Sequence, residues 1–274
     1  MPDAVNAIMK NQSMNDFIDS LPDVATATKM IKDISYIKQQ GGFVMRNWLS
    51  NNPIVLNDMP KETLNDMAIR FNVESQAERT LGLLWFPASD MFGFDLSLKR
   101  IPSDILQLSR KPTKREVLRI IMSVYDIHGF LAPFTIKSKM LMREIWNVGI
   151  KWDQEITDSL FVLFKDWISQ LQEMSYVRIP RWYFYSDDSV GVNEKNGRTV
   201  NDNETSLQLH IFCDASPCAY ACVAYWRKQD SNCVQVSFIA SNSRVAPLKP
   251  LTMPKLELQG ALLACRLADY KKGA

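Results

Sequence analysis

The sequence predicts an α+β chain, and three observations predict it. Apolar residues recur at helical spacing from 22 to 40 and again from 113 to 171. Strand-like alternation dominates from 207 to 241. Between these regions, residues 186–206 are polar and rich in Gly, Asn and Asp, as an exposed linker would be. With 46% hydrophobic residues over 274 positions, a buried core is expected and disorder is excluded.

The elements follow in order. Val24, Ala27, Ile31, Ile34 and Ile37 define one face of a helix over 22–40, which Gly41-Gly42 stops. Residues 43–49 read as a strand leaving the glycine pair, 80–86 as a buried strand, and 89–94 as a turn into another extended piece. Thr113 and Glu116 fit a capping box opening a helix with an apolar face of Val117, Leu118, Ile121, Val124 and Tyr125. Gly129 is expected to end it, with a C-terminal dipole contact for His128. Pro133 starts a second helix with Ile136, Met140, Leu141 and Ile145 inward. Asp153 is expected to cap a third, burying Ile156, Leu160, Leu163, Phe164, Trp167 and Leu171. Three short-linked amphipathic helices make a small bundle. After a strand-like piece over 182–185 and the linker, strands are expected over 207–213, 219–226 and 234–241, then a helix over 252–269.

Net charge is only +2, so overall charge points to no partner, but its distribution is uneven. Residues 99–143 hold ten Lys or Arg against Asp104, Glu116 and Asp126, a local +7. Such a patch is the usual footprint of a phosphate-backbone contact. Five cysteines without framework spacing favour a reducing compartment. No signal peptide, membrane span or lipidation motif is visible. His210, Cys213, Cys218 and Cys222 lack the paired spacing of a zinc site and read as small core residues.

Two acids stand out. Asp214 ends an apolar strand, and Glu257 lies on a helix in apolar surroundings. Two buried carboxylates there would suit divalent metal and phosphodiester chemistry, which needs clustered acids around closely spaced ions. Acids are also common at strand ends and on solvated helix faces, so spacing alone favours the bland reading. The surrounding sequence reverses that preference.

FCDASPCAYACVAYW over 212–226, SNSRVAPLKPLTMPKLELQGA over 241–261 and DIHGFLAP over 126–133 together resemble the Pol polyprotein of BEL/Pao-type LTR retrotransposons. The resemblance runs from about Gln12 onward. It implies a partial reverse-transcriptase palm over 1–100, a helical thumb and connection over 101–185, a linker over 186–206, and the N-terminal part of an α/β ribonuclease H-like domain over 207–274. Asp214 and Glu257 match the first two catalytic acids of that domain, which cleaves the RNA of an RNA–DNA hybrid with Mg²⁺; the other two acids are expected beyond residue 274.

Ser13 to Phe17 falls where the family has the polymerase motif Tyr-x-Asp-Asp. Asp16 matches its second acid and is the third catalytic and metal-binding candidate; Asn15 replaces the first, and an amide cannot supply that charge. Residues 80–85 resemble the palm strand near the primer grip. Thumb helices in the family lie against template–primer, which implies phosphate contacts from Lys114, Arg115, Arg119, Lys137 and Lys139.

The resemblance thus implies a fragment of Pol with impaired catalysis and residual binding to template–primer or RNA–DNA hybrid. Its expected place is cytoplasmic, in retroelement particles, with oligomeric state open. Two alternatives stand: a working ribonuclease H when extended or complemented, and a non-catalytic host interaction module. This stretch of Pao-type Pol often carries a peptidase family label, yet no Asp-Thr-Gly or Asp-Ser-Gly loop and no Ser or Cys nucleophile motif occurs.

Overall fold

The structure is a computed structural model that describes residues 1–13, 16–69, 76–80, 82–184, 206–229 and 233–272. The chain forms two compact units, Met1–Thr80 with Leu84–Met91, and Leu81–Leu83 with Phe92–Ala274.

The first unit holds α1 (Pro2–Asn11), β1 (Gln12–Ser13), β2 (Asp16–Phe17), α2 (Val24–Gln40), α3 (Asp66–Ile69) and β3 (Glu78–Thr80). Helix α2 begins where expected because the Asp23 carboxylate accepts from the Thr26 N–H and hydroxyl, both at 2.8 Å. Ile31 and Ile34 of α2 are buried with Ala4, Trp48, Val55 and Leu56. The strand expected over 43–49 does not form. Asn47 adopts a left-handed φ of 59°, which breaks the extended run, and only Trp48 makes a single bridge, to Leu64. β1 and β2 pair antiparallel, with Ser13 opposite Asp16. Met14 and Asn15, including the Asn15 substitution discussed above, lie outside the described residues.

The strand expected over 80–86 is split. β4 (Leu83–Phe86) follows Gly82, whose φ of +87° needs glycine and whose Cβ would lie 2.1 Å from the Tyr125 ring. β5 (Met91–Gly93) comes next.

In the second unit, α4 (Ser103–Leu106) precedes three longer helices, α5 (Lys114–Ser123), α6 (Ala132–Val148) and α7 (Asp158–Leu171). The capping box opens α5: the Glu116 N–H donates to Thr113 Oγ1 and the Thr113 N–H donates to Glu116 Oε2. Val117, Ile120, Phe134, Leu141, Ile145, Phe164 and Trp167 form the continuous core. Three expectations fail here. α5 stops at Ser123, not at Gly129, so His128 is not at a helix end. Thr157 precedes α7, and Asp153 does not cap it but pairs with Arg115 at 2.7 Å. Leu163 and Tyr125 are about half exposed, so neither belongs to the core face.

β6 (Ile179–Pro180) follows, and the strand expected over 182–185 is not seen at 182–184. The expected linker over 186–205 lies outside the described residues. Beyond it, β7 (Ser206–Ala215), β8 (Ala219–Gln229) and β9 (Val234–Val245) form an antiparallel meander in that order. β9 carries one extra residue where Ala224 pairs with Ala240 and Tyr225 with Phe238. α8 (Met253–Lys272) packs on β7 and β8, and its Leu267 meets Leu209, Ile211 and Trp226 around buried Ala224 and Ile239.

The bundle and the sheet belong to the same unit, and the loop between α5 and α6 joins them. The Asp126 carboxylate accepts from the N–H groups of Phe130 and Leu131 at 2.9 and 2.7 Å, folding the loop back. The Ser241 N–H of β9 donates to the His128 carbonyl at 2.8 Å, and Ser241 Oγ donates to the Gly129 carbonyl at 2.6 Å. Phe130 stacks near Phe238 with ring centres 5.0 Å apart. β9 is the end strand of this meander, so the loop occupies backbone groups that would otherwise lie unpaired.

Candidate functional site

Asp214 is the penultimate residue of β7 and lies opposite Ala221 of β8, which lies opposite Ser243 of β9. These three residues form one cross-strand row at the end of the sheet where α8 begins. Helix α8 crosses this row at Gly260. A Cβ there would stand 3.3 Å from the Asp214 carbonyl oxygen and 3.8 Å from that of Ala221. Leu256, Gly260 and Leu263 are the buried stripe that seats the helix. Glu257 lies one turn before Gly260, on the side of α8 toward the end of the sheet.

Both carboxylates are exposed. The expectation of two buried acids in apolar surroundings is therefore corrected. Asp214 sits one residue from the end of its strand, where the sheet no longer covers it, and Glu257 flanks the buried stripe. Asp214 Oδ1 accepts from the N–H of Ala215 at 2.8 Å. Carboxylate oxygens in open positions are the donor type that a hard divalent ion takes. Among the described residues, no cluster of three or more His, Cys, Asp or Glu is arranged to hold a metal. Asp16 lies exposed on β2, in the first unit.

The cysteine readings need one correction. Cys222 is buried, and burial pushes its thiol above the ordinary value. Cys213 and Cys218 are exposed, so they are not core residues.

The basic segment is sorted by its partners. Arg110 is held between Asp104 at 2.6 Å and Glu116 at 2.8 Å. Lys111 pairs with Asp158 at 2.6 Å. Arg115 grips Asp153 through Nε and a terminal nitrogen at 2.7 and 3.1 Å. Lys114 is only 3% exposed. Its ammonium stands 3.4 Å from the centre of the Trp146 ring and donates to the Ile150 carbonyl at 3.2 Å. Lys114 therefore does not present its charge to a phosphate: it is a core cation beneath an indole, despite being the first residue of α5. Arg119, Lys137 and Lys139 are exposed; none forms an ion pair among the described residues, and the Lys139 charge acts on the Asp126 carboxylate.

Lys139 and Arg143 reach across to β9 and just beyond. Lys139 Nζ donates to the Ser243 carbonyl and an Arg143 terminal nitrogen donates to the Pro247 carbonyl, both long contacts at 3.4 Å. Beside them, Lys137, Met140, Arg143, Glu144, Leu163, Asp166, Trp167 and Cys218 line a cleft of about 250 Å³. No described helix is long and apolar enough to cross a membrane.

Sequence reasoning missed Gly260, which sets how closely α8 approaches Asp214. Its signal was a glycine three residues after the acid within an otherwise strong helix pattern, a position that costs helix stability unless close packing requires it.

Residues 113–273 match the family model of the Pao retrotransposon-like RNaseH-like domain. That match spans both the α5–α7 bundle and the β7–β9 sheet with α8. No curated protein matches the chain.

Proposed function

The chain belongs to the Pao retrotransposon-like RNaseH-like domain family, and from that premise we propose that it is a segment of a retrotransposon Pol polyprotein that binds RNA–DNA hybrid or template–primer. Asp214 and Glu257 act in this reading as two of the carboxylates of a divalent-metal site for cleavage of the RNA strand. The observation that supports it is the seat of α8 at Gly260 against the Asp214 carbonyl, three residues along the helix from Glu257.

A bound divalent ion, Mg²⁺ by the family resemblance, would supply charge stabilisation and an activated water. Asp214 and Glu257 would hold it, and the exposure of both leaves room for a nucleic-acid backbone to approach. In this reading hybrid binding is the main activity and cleavage is weak. For the first unit we propose a reverse-transcriptase palm remnant without polymerase activity. The β1–β2 pairing that sets Ser13 opposite Asp16 supports it.

The test is cleavage of a labelled RNA–DNA hybrid by purified chain in Mg²⁺ or Mn²⁺, with Asp214→Asn as the control. Cleavage well above the control would overturn the impaired reading and support the carboxylate pair. Cleavage at the control level, together with measurable hybrid binding by folded protein, supports the proposal.

A further inference from the structure

Of the exposed basic residues that form no ion pair among the described residues, Arg119 lies on α5 and two share α6. Lys137 and Lys139 lie on α6, which packs along β9. Lys139 touches the Ser243 carbonyl, and Ser243 lies in the same cross-strand row as Asp214, two strands away. Neighbouring strands are about 4.8 Å apart, so the contact point is about 10 Å from the Asp214 backbone. Successive nucleotides of a duplex strand rise about 3.4 Å each, so this span is about three nucleotides.

The next segment adds charge of the same sign. Arg244 and Lys249 are exposed, and no Asp or Glu occurs between 231 and 256. The acids near α6 are Glu144, which pairs with Arg143 at 3.3 Å, Asp166, which lines the adjoining cleft, and Asp126, a largely buried carboxyl that feels the Lys139 charge and is taken up by the N–H groups of its own loop. The Lys139 contact is long, and an ammonium has three donors, so Lys139 keeps donors for a second partner.

We infer that the seam between α6 and β9, with Lys137, Lys139 and Arg244, is the phosphate seat that positions the nucleic-acid backbone a few nucleotides from Asp214. This rests on the hybrid-binding function proposed above. It assigns the backbone contact to α6 and withdraws it from Lys114, which is buried, and Arg115, which is paired with Asp153. Lys137, Lys139 and Arg244 are positioning residues: they hold the backbone in register and read no sequence.

The experiment is a fluorescence anisotropy titration of a labelled RNA–DNA hybrid at several salt concentrations. Full-length chain is compared with Lys137→Gln/Lys139→Gln, with Arg119→Gln on α5, with Lys29→Gln/Lys61→Gln as exposed controls in the first unit, and with Lys137→Arg/Lys139→Arg. The seam variant should bind several-fold more weakly at moderate salt, with a salt slope smaller by about 1 to 2. The arginine variant should restore both, which loss of the Ser243 contact alone would not allow. Unfolding midpoints identify any variant that fails to fold, and Arg244→Gln, which gives up no side-chain hydrogen bond or ion pair among the described residues, then tests the same seam.

Seam variants that match the wild type in affinity and slope, while Arg119→Gln weakens binding, would overturn the seam and leave the proposed function standing. Failure of the wild-type chain to bind hybrid at low salt would overturn the proposed function and the seam together.

Discussion

Replacing Gly129 with alanine tests the joint between the bundle and the sheet. Gly129 has a φ of +74°, and a Cβ there would sit 2.2 Å from the Ser241 carbonyl oxygen and 2.5 Å from Ser241 Oγ. Left-handed backbone costs an L-residue about 1–2 kcal/mol. The clash must also lengthen the bonds from Ser241 to the His128 and Gly129 carbonyls, each worth about 1 kcal/mol. The expected loss is therefore about 3–4 kcal/mol, or a fall of about 10 °C in Tm for a unit of this size. Gly149 is the matched control, with a φ of +77° and nothing within 4 Å of an added Cβ. Gly149→Ala should show only the backbone cost, about 1–2 kcal/mol. Urea unfolding of both variants gives the difference directly, and hydrogen exchange at the Ser241 amide should accelerate in Gly129→Ala alone. Equal destabilisation by the two variants, with Ser241 still protected, would refute the seating of this loop on β9.

Three further predictions concern charged groups. Arg110 beside Glu116 holds that carboxyl down to about 2, so its contribution to stability is present above its ordinary value of 4.5 and is lost as pH falls from there toward 2. Burial pushes Asp126 the other way, so its contribution is present below the ordinary 3.8 and declines as pH rises from there through the raised value. Glu116→Gln should flatten the acid limb of a Tm-against-pH curve, and Asp126→Asn should remove a decline above it; an unchanged curve in either variant would refute the corresponding assignment. Lys114→Met should cost about 1–3 kcal/mol through the lost bond to Ile150 and the lost indole contact. It should leave hybrid affinity and its salt slope unchanged in folded protein, whereas a reduced slope would return Lys114 to the phosphate-binding set.

The fold was most legible where local chemistry decides it. The capping box at Thr113 and Glu116 and the period of α2 depend on neighbours in sequence, and the structure has both; β7 forms as a strand, but its exposure does not alternate, and Leu207 and Cys213 are exposed. The errors came where a distant partner or one backbone angle decides. Asn47 interrupts a run of strand-favouring residues with a single positive φ. The end of α5 at Ser123, ahead of Gly129, depends on Asp126 capping its own loop and on Ser241, more than a hundred residues away. No periodicity in 113–129 could reveal that partner.

The candidate site divides along the same line. Asp214 and Glu257 were legible as residues on a strand end and a helix, but their exposure was not, because it depends on how the sheet ends and where α8 crosses it. The basic patch shows why a charge count cannot locate an interface. A lysine at the start of an amphipathic helix would be assigned to solvent by pattern alone, yet Trp146, Trp152 and the Ile150 carbonyl arrive from elsewhere to enclose the Lys114 ammonium. Arg110, Lys111 and Arg115 find Asp104, Glu116, Asp158 and Asp153, and the last two lie far from their partners in sequence. Neutralising those cations does not erase the patch; it moves its centre from α5 to α6. A phosphate backbone responds to the charges that remain exposed, which is the physical reason for placing its contact at the seam of α6 and β9, two strands from Asp214.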